Sequence, residues 1–258
     1  MERHNLLKLV VVLMSMLCIN SVFANNVYWS GNSPLNQLWT TAQNWNNSTL
    51  PNSDGSSSVY NDTSWNGTAD GKYIHIDTGI TANCYDLQMG YTGSNTRMLM
   101  TDGVLNIGNN LIVGRATAGN IFDMEGGVVN ITNSLTITTY SPTGEGTLNL
   151  RGGSIYAAGG LSIKHPGGAN GQIDITGGIL YLLGNVKSTI EGYVTVDNLI
   201  SGNGVYSLSD GSSAGVLVEL TTVESTQYTK VSYMVPEPLT VSMLLLGTTL
   251  ITLKKKKI

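Results

Sequence analysis

Between residues 74 and 188 the chain repeats one pattern of apolar and polar positions. Five segments align without gaps: IHIDTGITANCYDLQM from Ile74, MLMTDGVLNIGNNLIV from Met98, FDMEGGVVNITNSLTI from Phe122, LNLRGGSIYAAGGLSI from Leu148 and IDITGGILYLLGNVKS from Ile173. Their starts are separated by 24, 24, 26 and 25 residues, and a weaker sixth copy begins 26 residues later at Leu199. Apolar residues alternate in three short bursts per copy. The first is Ile74/Ile76, Met98/Met100, Phe122/Met124, Leu148/Leu150 and Ile173/Ile175. The second runs from Leu105/Ile107 to Leu180/Leu182, and the third from Leu87/Met89 to Leu161/Ile163, with only Val186 matching in the fifth copy. Period two means strands with one face buried. Glycines at 79, 103, 127, 153 and 178 mark one recurring tight corner, where a side chain is unwelcome or φ is positive.

Three short strands in every 24–26 residues, always in phase, describe one coil of a solenoid. No coil buries its own apolar face; coils stacked about 4.8 Å apart bury it together. The expectation is an all-β chain, a right-handed parallel β-helix of about five to six coils over residues 73–215. An antiparallel β-sandwich would explain the short strands but not five copies in register.

Residues 25–72 lack the repeat and hold all four tryptophans. The first coil exposes an apolar end and free strand edges. Trp29, Trp39, Trp45 and Trp65 are therefore expected to cap it, rather than to form a sugar-stacking surface. The run Trp29-Ser-Gly31, Trp39, Ala42-Gln-Asn44-Trp45 and Pro51 resembles the start of autotransporter-type β-helical repeat proteins. Residues 216–234 contain two strand-like runs and are expected to close the other end.

The two ends read as addresses. Residues 1–24 combine Arg3 and Lys8, an apolar run from Leu9 to Leu17, and Val22-Phe23-Ala24, the layout of a signal peptide. Its removal takes Cys18 with it and leaves Cys84 alone, expected as a small buried residue with no disulfide partner. At the other end stand Val235-Pro236-Glu237-Pro238, an apolar stretch Leu239–Leu253, and Lys254, Lys255, Lys256 and Lys257. Such a stretch is a short span, and the lysine block would stay cytoplasmic, leaving the body on the far side of the membrane. This arrangement resembles the PEP-CTERM sorting signal of exported bacterial proteins. The resemblance implies a Gram-negative-type envelope, an exosortase-type enzyme as processing partner, and an exopolysaccharide-producing lifestyle.

Without its ends, the body keeps 7 Lys+Arg against 15 Asp+Glu, a charge of −8. A surface this acidic disfavours nucleic acid as a partner. No calcium nonapeptide, Cys/His metal spacing, phosphate loop or nucleophile elbow is present, so neither cofactor nor metal is expected. His165 sits in a Pro/Gly loop and suggests no triad.

On a solenoid, chemistry has to be sought in columns. The outward column of the first strands reads His75, Leu99, Asp123, Asn149 and Asp174. Asp123 and Asp174, two coils apart, would stand roughly 10 Å from each other, near the spacing of an inverting glycosidase pair. Leu99 interrupts the column and no basic residue joins it, so these residues are expected simply to be solvated. The middle column reads Asn106, Asn130, Tyr156, Tyr181 and Ser207. Asparagine ladders and stacked tyrosines stabilise parallel coils, and Tyr156 and Tyr181 are the candidate glycan contacts. The expected function is non-enzymatic: an exported surface or matrix protein, structural or adhesive, with the membrane and polysaccharide as partners. The alternative is a polysaccharide lyase or hydrolase on the same scaffold.

Overall fold

The inward residues of each burst sit directly above those of the same burst in the copy before. The computed structural model describes residues 26–31, 33, 36–52, 56–61, 73–138, 143–163, 171–210 and 213–235. The signal peptide, Trp65, His165, Pro236, Glu237, Pro238, the apolar stretch 239–253 and Lys254–Lys257 lie outside the described residues. Among the described residues no helix is long and apolar enough to cross a membrane.

The chain is mostly β, a parallel β-solenoid of about five turns with three faces. One face stacks β3 (Ile74–Ile76), β6 (Arg97–Met100), β9 (Asn120–Met124), β12 (Gly146–Leu150), β15 (Gln172–Ile175) and β17 (Ile200–Gly202). The middle face stacks β4 (Thr81–Cys84), β7 (Val104–Ile107), β10 (Val128–Ile131), β13 (Ser154–Ala157) and β16 (Ile179–Leu183). The third stacks β1 (Asn26–Tyr28), β2 (Ser58–Asn61), β5 (Leu87–Met89), β8 (Leu111–Val113), β11 (Leu135–Ile137) and β14 (Leu161–Ser162). Pairing follows the repeat: Met98, Phe122, Leu148 and Ile173 align rung on rung, and each is essentially inaccessible to solvent. Cys84 belongs to the same buried core, where desolvation pushes its thiol far above the ordinary range and leaves it inert.

The glycine corner uses both reasons a glycine can be required. Gly79, Gly103, Gly127 and Gly153 have φ between +72° and +83°, whereas Gly178 does not. A Cβ on Gly178 would instead meet Leu150 Cδ1 at 2.5 Å.

The ends depart from the repeat. Residues 25–72 are more than a cap, because β1 and β2 already belong to the third face, pairing in parallel with each other and with β5. Around them Trp29, Trp39 and Trp45 are buried. Trp29 and Trp39 each meet the Trp45 ring edge-on at 4.9 Å. The Trp45 indole N–H donates to the Trp39 carbonyl at 2.7 Å. Buried Asn44 draws the same segment together, accepting from Ser33 N–H and donating to the carbonyls of Asn36 and Leu38. Leu38 then bridges His75, covering the edge of β3. These three rings offer no face to a sugar.

At the far end the fifth coil has no third strand. Helix α1 (Lys187–Thr195) takes its place and buries Ile190 and Val194. The weak sixth copy contributes one strand, and its register is shifted by one residue: Ile200, not Leu199, pairs with Ile173. Ser207 consequently leaves the middle column. Its place beside Tyr181 is taken by Lys230 of an antiparallel hairpin, β18 (Gly215–Val223) and β19 (Thr226–Met234), laid on β16. That hairpin covers the last parallel strand of the middle face.

The corner can be tested by adding one methyl group at two places with the same φ. A Cβ at Gly127 would stand 2.6 Å from both the Gly103 carbonyl oxygen and Met100 Cε, while one at Gly184 would meet nothing within 4 Å. Urea unfolding should show Gly127→Ala destabilised by about 2–4 kcal/mol. Gly184→Ala should lose only the left-handed strain, about 1–2 kcal/mol. Equal losses would refute the close approach at the corner.

Candidate functional site

Two outward columns carry the polar chemistry. In the middle column the side chains bond to one another along the rod. Asn106 Nδ2 donates to Asn83 Oδ1 at 3.0 Å, and Asn130 Nδ2 donates to Asn106 Oδ1 at 2.9 Å. Asn83 extends the ladder one rung beyond the sequence reading. The next two rungs change from amide to aromatic, and Tyr156 and Tyr181 stack with centroids 4.6 Å apart and planes 4° from parallel.

Tyr228, from β19, meets both rings edge-on at 6.0 Å. Sequence columns could not reveal this third tyrosine, because it arrives on an antiparallel strand outside the repeat. Burial, followed by the neighbouring phenols of Tyr181 and Tyr228, raises the Tyr156 hydroxyl above its ordinary pKa.

The step from short asparagine to long tyrosine leaves a shelf. One face of the Tyr156 ring is covered by Tyr181; the other looks toward the smaller Asn130 on the preceding rung. The tip of the β18–β19 hairpin closes the shelf into a groove of about 320 Å³, lined by Asn130, Tyr156, Val223, Glu224, Thr226 and Tyr228. Of the two candidate glycan contacts, Tyr156 lines this groove, and Tyr181 supports it from behind.

In the first-strand column, Asp123 and Asp174 sit two rungs apart with Asn149 between them. They are not simply solvated. Asp123 is only 6% exposed, and basic residues do join it. Arg97 Nη2 contacts its Oδ2 at 3.0 Å and Arg151 Nη1 its Oδ1 at 2.6 Å, with Asn149 donating to Oδ1 at 2.8 Å. Burial alone would raise the Asp123 pKa, but the hydrogen bonds from Asn149, Arg151 and Arg97 outweigh it and hold the carboxyl below the ordinary range. Asp174 accepts from the Ser201 hydroxyl at 2.5 Å and from Gly204 N–H at 2.9 Å. Both carboxylates thus serve as acceptors for neighbouring rungs, which suits them poorly to activating water. A cleft of about 260 Å³ lies beside Asp123, with Tyr73, Leu99 and Glu125 among its walls.

The third face holds features no column reading detected. Tyr28 and Tyr60 stack at 5.1 Å. Arg115 donates to Gln88 and stands 4.3 Å over the Tyr91 ring. Among the described residues no group of three or more His, Cys, Asp or Glu could hold a metal ion. No protein-family model, curated protein or solved structure matches the chain.

The Asp123 cluster generates a prediction with a definite sign. An unfolded Asp titrates near 3.9, and the folded group titrates lower. Its contribution to stability is therefore complete above about pH 4 and lost as pH falls through the folded value. The arginines are half-exposed, so Asp123→Asn should cost about 1–3 kcal/mol near pH 7. The gap from wild type in urea midpoint should narrow steadily below about pH 4. A gap independent of pH would show that the charge is not what matters.

Proposed function

We propose that this chain is an exported, non-enzymatic protein of the cell surface or extracellular matrix. In this reading it is a right-handed β-helical rod that presents a polar face to exopolysaccharide. The right-handed sense follows from the general preference for right-handed crossovers between parallel strands. Export rests on the n-region and apolar run of residues 1–24. Sorting by an exosortase-type enzyme rests on Val235-Pro236-Glu237-Pro238, the apolar stretch and the four lysines. Transient or permanent anchoring in the membrane would follow from that stretch.

The observation that carries the structural reading is the closure of the outward columns on themselves. Asn83, Asn106 and Asn130 spend their amides on the next rung, and Asp123 spends both oxygens on Arg97, Arg151 and Asn149. Such side chains stiffen a rod and do not await a substrate. The Tyr156 groove is the exception and the proposed glycan contact, since an aromatic face gives apolar contact to a sugar ring. The alternative enzyme would have to work in the cleft beside Asp123, whose carboxylate is held in its weakly basic form.

Fractionation of tagged protein in its native host, with intact mass of the released species, tests this reading. Processed material lacking residues 1–24 and ending near Val235 should appear outside the cell. Full-length protein kept in the inner membrane would replace sorting by permanent anchoring. Soluble protein retaining Met1 in the cytoplasm would overturn export altogether.

A further inference from the structure

Among the described residues, the lining of the groove at Tyr156 is rich in acceptors and holds no cation. The asparagine ladder is directional: Asn130 donates its amide N–H back to Asn106, so its own carbonyl oxygen is the free end of the ladder, at the groove. Asn130 is exposed there. Across the groove stands Glu224, which forms no ion pair among the described residues. Between them lie the open face of Tyr156 and the ring of Tyr228. Lys230 stands beside Tyr181 on the next rung, outside the groove lining, and its ammonium is engaged by Glu219 at 2.7 Å.

The turn that carries Glu224 is costly for the residues it uses. Val223 pairs with Thr226, so Glu224 and Ser225 form a two-residue hairpin loop, with φ of 49° and 68°. Two successive positive φ values favour Asn-Gly, which would adopt them with little strain. The chain instead holds a carboxylate at the groove.

We propose that this groove binds an amine-bearing sugar, a hexosamine unit with a free ammonium, within a polysaccharide. The proposal rests on the glycan reading above and narrows it to one substrate class. A sugar ring lies against Tyr156. Its ammonium is attracted by the Glu224 carboxylate and the tyrosine π-faces, and donates to Asn130 Oδ1. The groove volume of about 320 Å³ admits a sugar unit of the chain rather than an extended oligomer. Uronate-rich glycans are disfavoured by the same acceptors, because a carboxylate would face Glu224 and Asn130 with no partner cation among the described lining residues.

The test is calorimetric titration of the full chain, in a neutral detergent, with a fully deacetylated chitosan oligosaccharide and with its fully N-acetylated counterpart. The free-amine oligomer should bind about tenfold more tightly, the factor expected of one charge-assisted contact. Glu224→Gln should bring the two affinities together, and Glu125→Gln, which changes net charge equally but lies outside the groove, should not. The pair Glu224→Asn with Ser225→Gly should hold or raise stability through the better turn while losing the preference, which separates binding from folding.

Equal binding of both oligomers by the wild-type chain would keep the sugar contact and overturn the amine preference. Binding of neither would overturn both readings. An equal loss in Glu125→Gln would mean that only the acidic body attracts the polycation, and would also overturn the site.

Discussion

Everything in this structure depends on axial register. A single coil cannot bury its own apolar face, and the neighbouring coils, placed residue over residue, remove that surface from water. Met98, Phe122, Leu148 and Ile173 form one such column; Leu105, Val129, Ile155 and Leu180 form another. A slip of one residue would turn a whole strand inside out. The register also decides what happens outside, because it places identical outward positions close enough to bond. That is why amides form a ladder, why two tyrosines stack, and why little free chemistry remains on these faces.

The rod has two ends, and the sequence leaves its repeat at both. At the start, Trp29, Trp39 and Trp45 fill the open end while Leu38 occupies the edge of β3. At the finish, α1 inserts Ile190 and Val194 where a third strand would otherwise continue. The hairpin reverses direction on β16, so that the next rung is antiparallel and the repeat stops. These devices also deal with unpaired strand edges, which would otherwise invite other chains. The hairpin does a second thing: its tip reaches back over Tyr156 and makes a groove out of a ledge.

What the sequence revealed is what obeys the period. The inward columns, the glycine corners, the middle-face ladder and the buried Cys84 could all be read from alternation and spacing. The contacts it hid run diagonally or come from outside the repeat. Arg97 precedes the first apolar residue of its burst and Arg151 follows the last of its own, so neither shares a column with Asp123. Long side chains nevertheless reach across neighbouring rungs. Tyr228 was invisible for a different reason, since antiparallel pairing brings it in from residues with no repeat to align. The one-residue shift at Ile200 has the same origin: once α1 interrupts the coil, alignment by equal length no longer predicts which residue faces inward.

The central claim is the parallel stacking of equivalent residues, and a distance along the rod tests it most directly. Asp77 and Thr176 follow equivalent strand ends, Ile76 and Ile175, four rungs apart through Met100, Met124 and Leu150. Nitroxide labels on cysteines at these two positions, with Cys18 replaced by Ser and Cys84 left buried and unreactive, give that distance by pulsed electron resonance. Stacked coils predict a single narrow distribution centred near 20 Å, four spacings of about 4.8 Å. A broad distribution, or a centre beyond about 30 Å, would contradict the solenoid and every column derived from it.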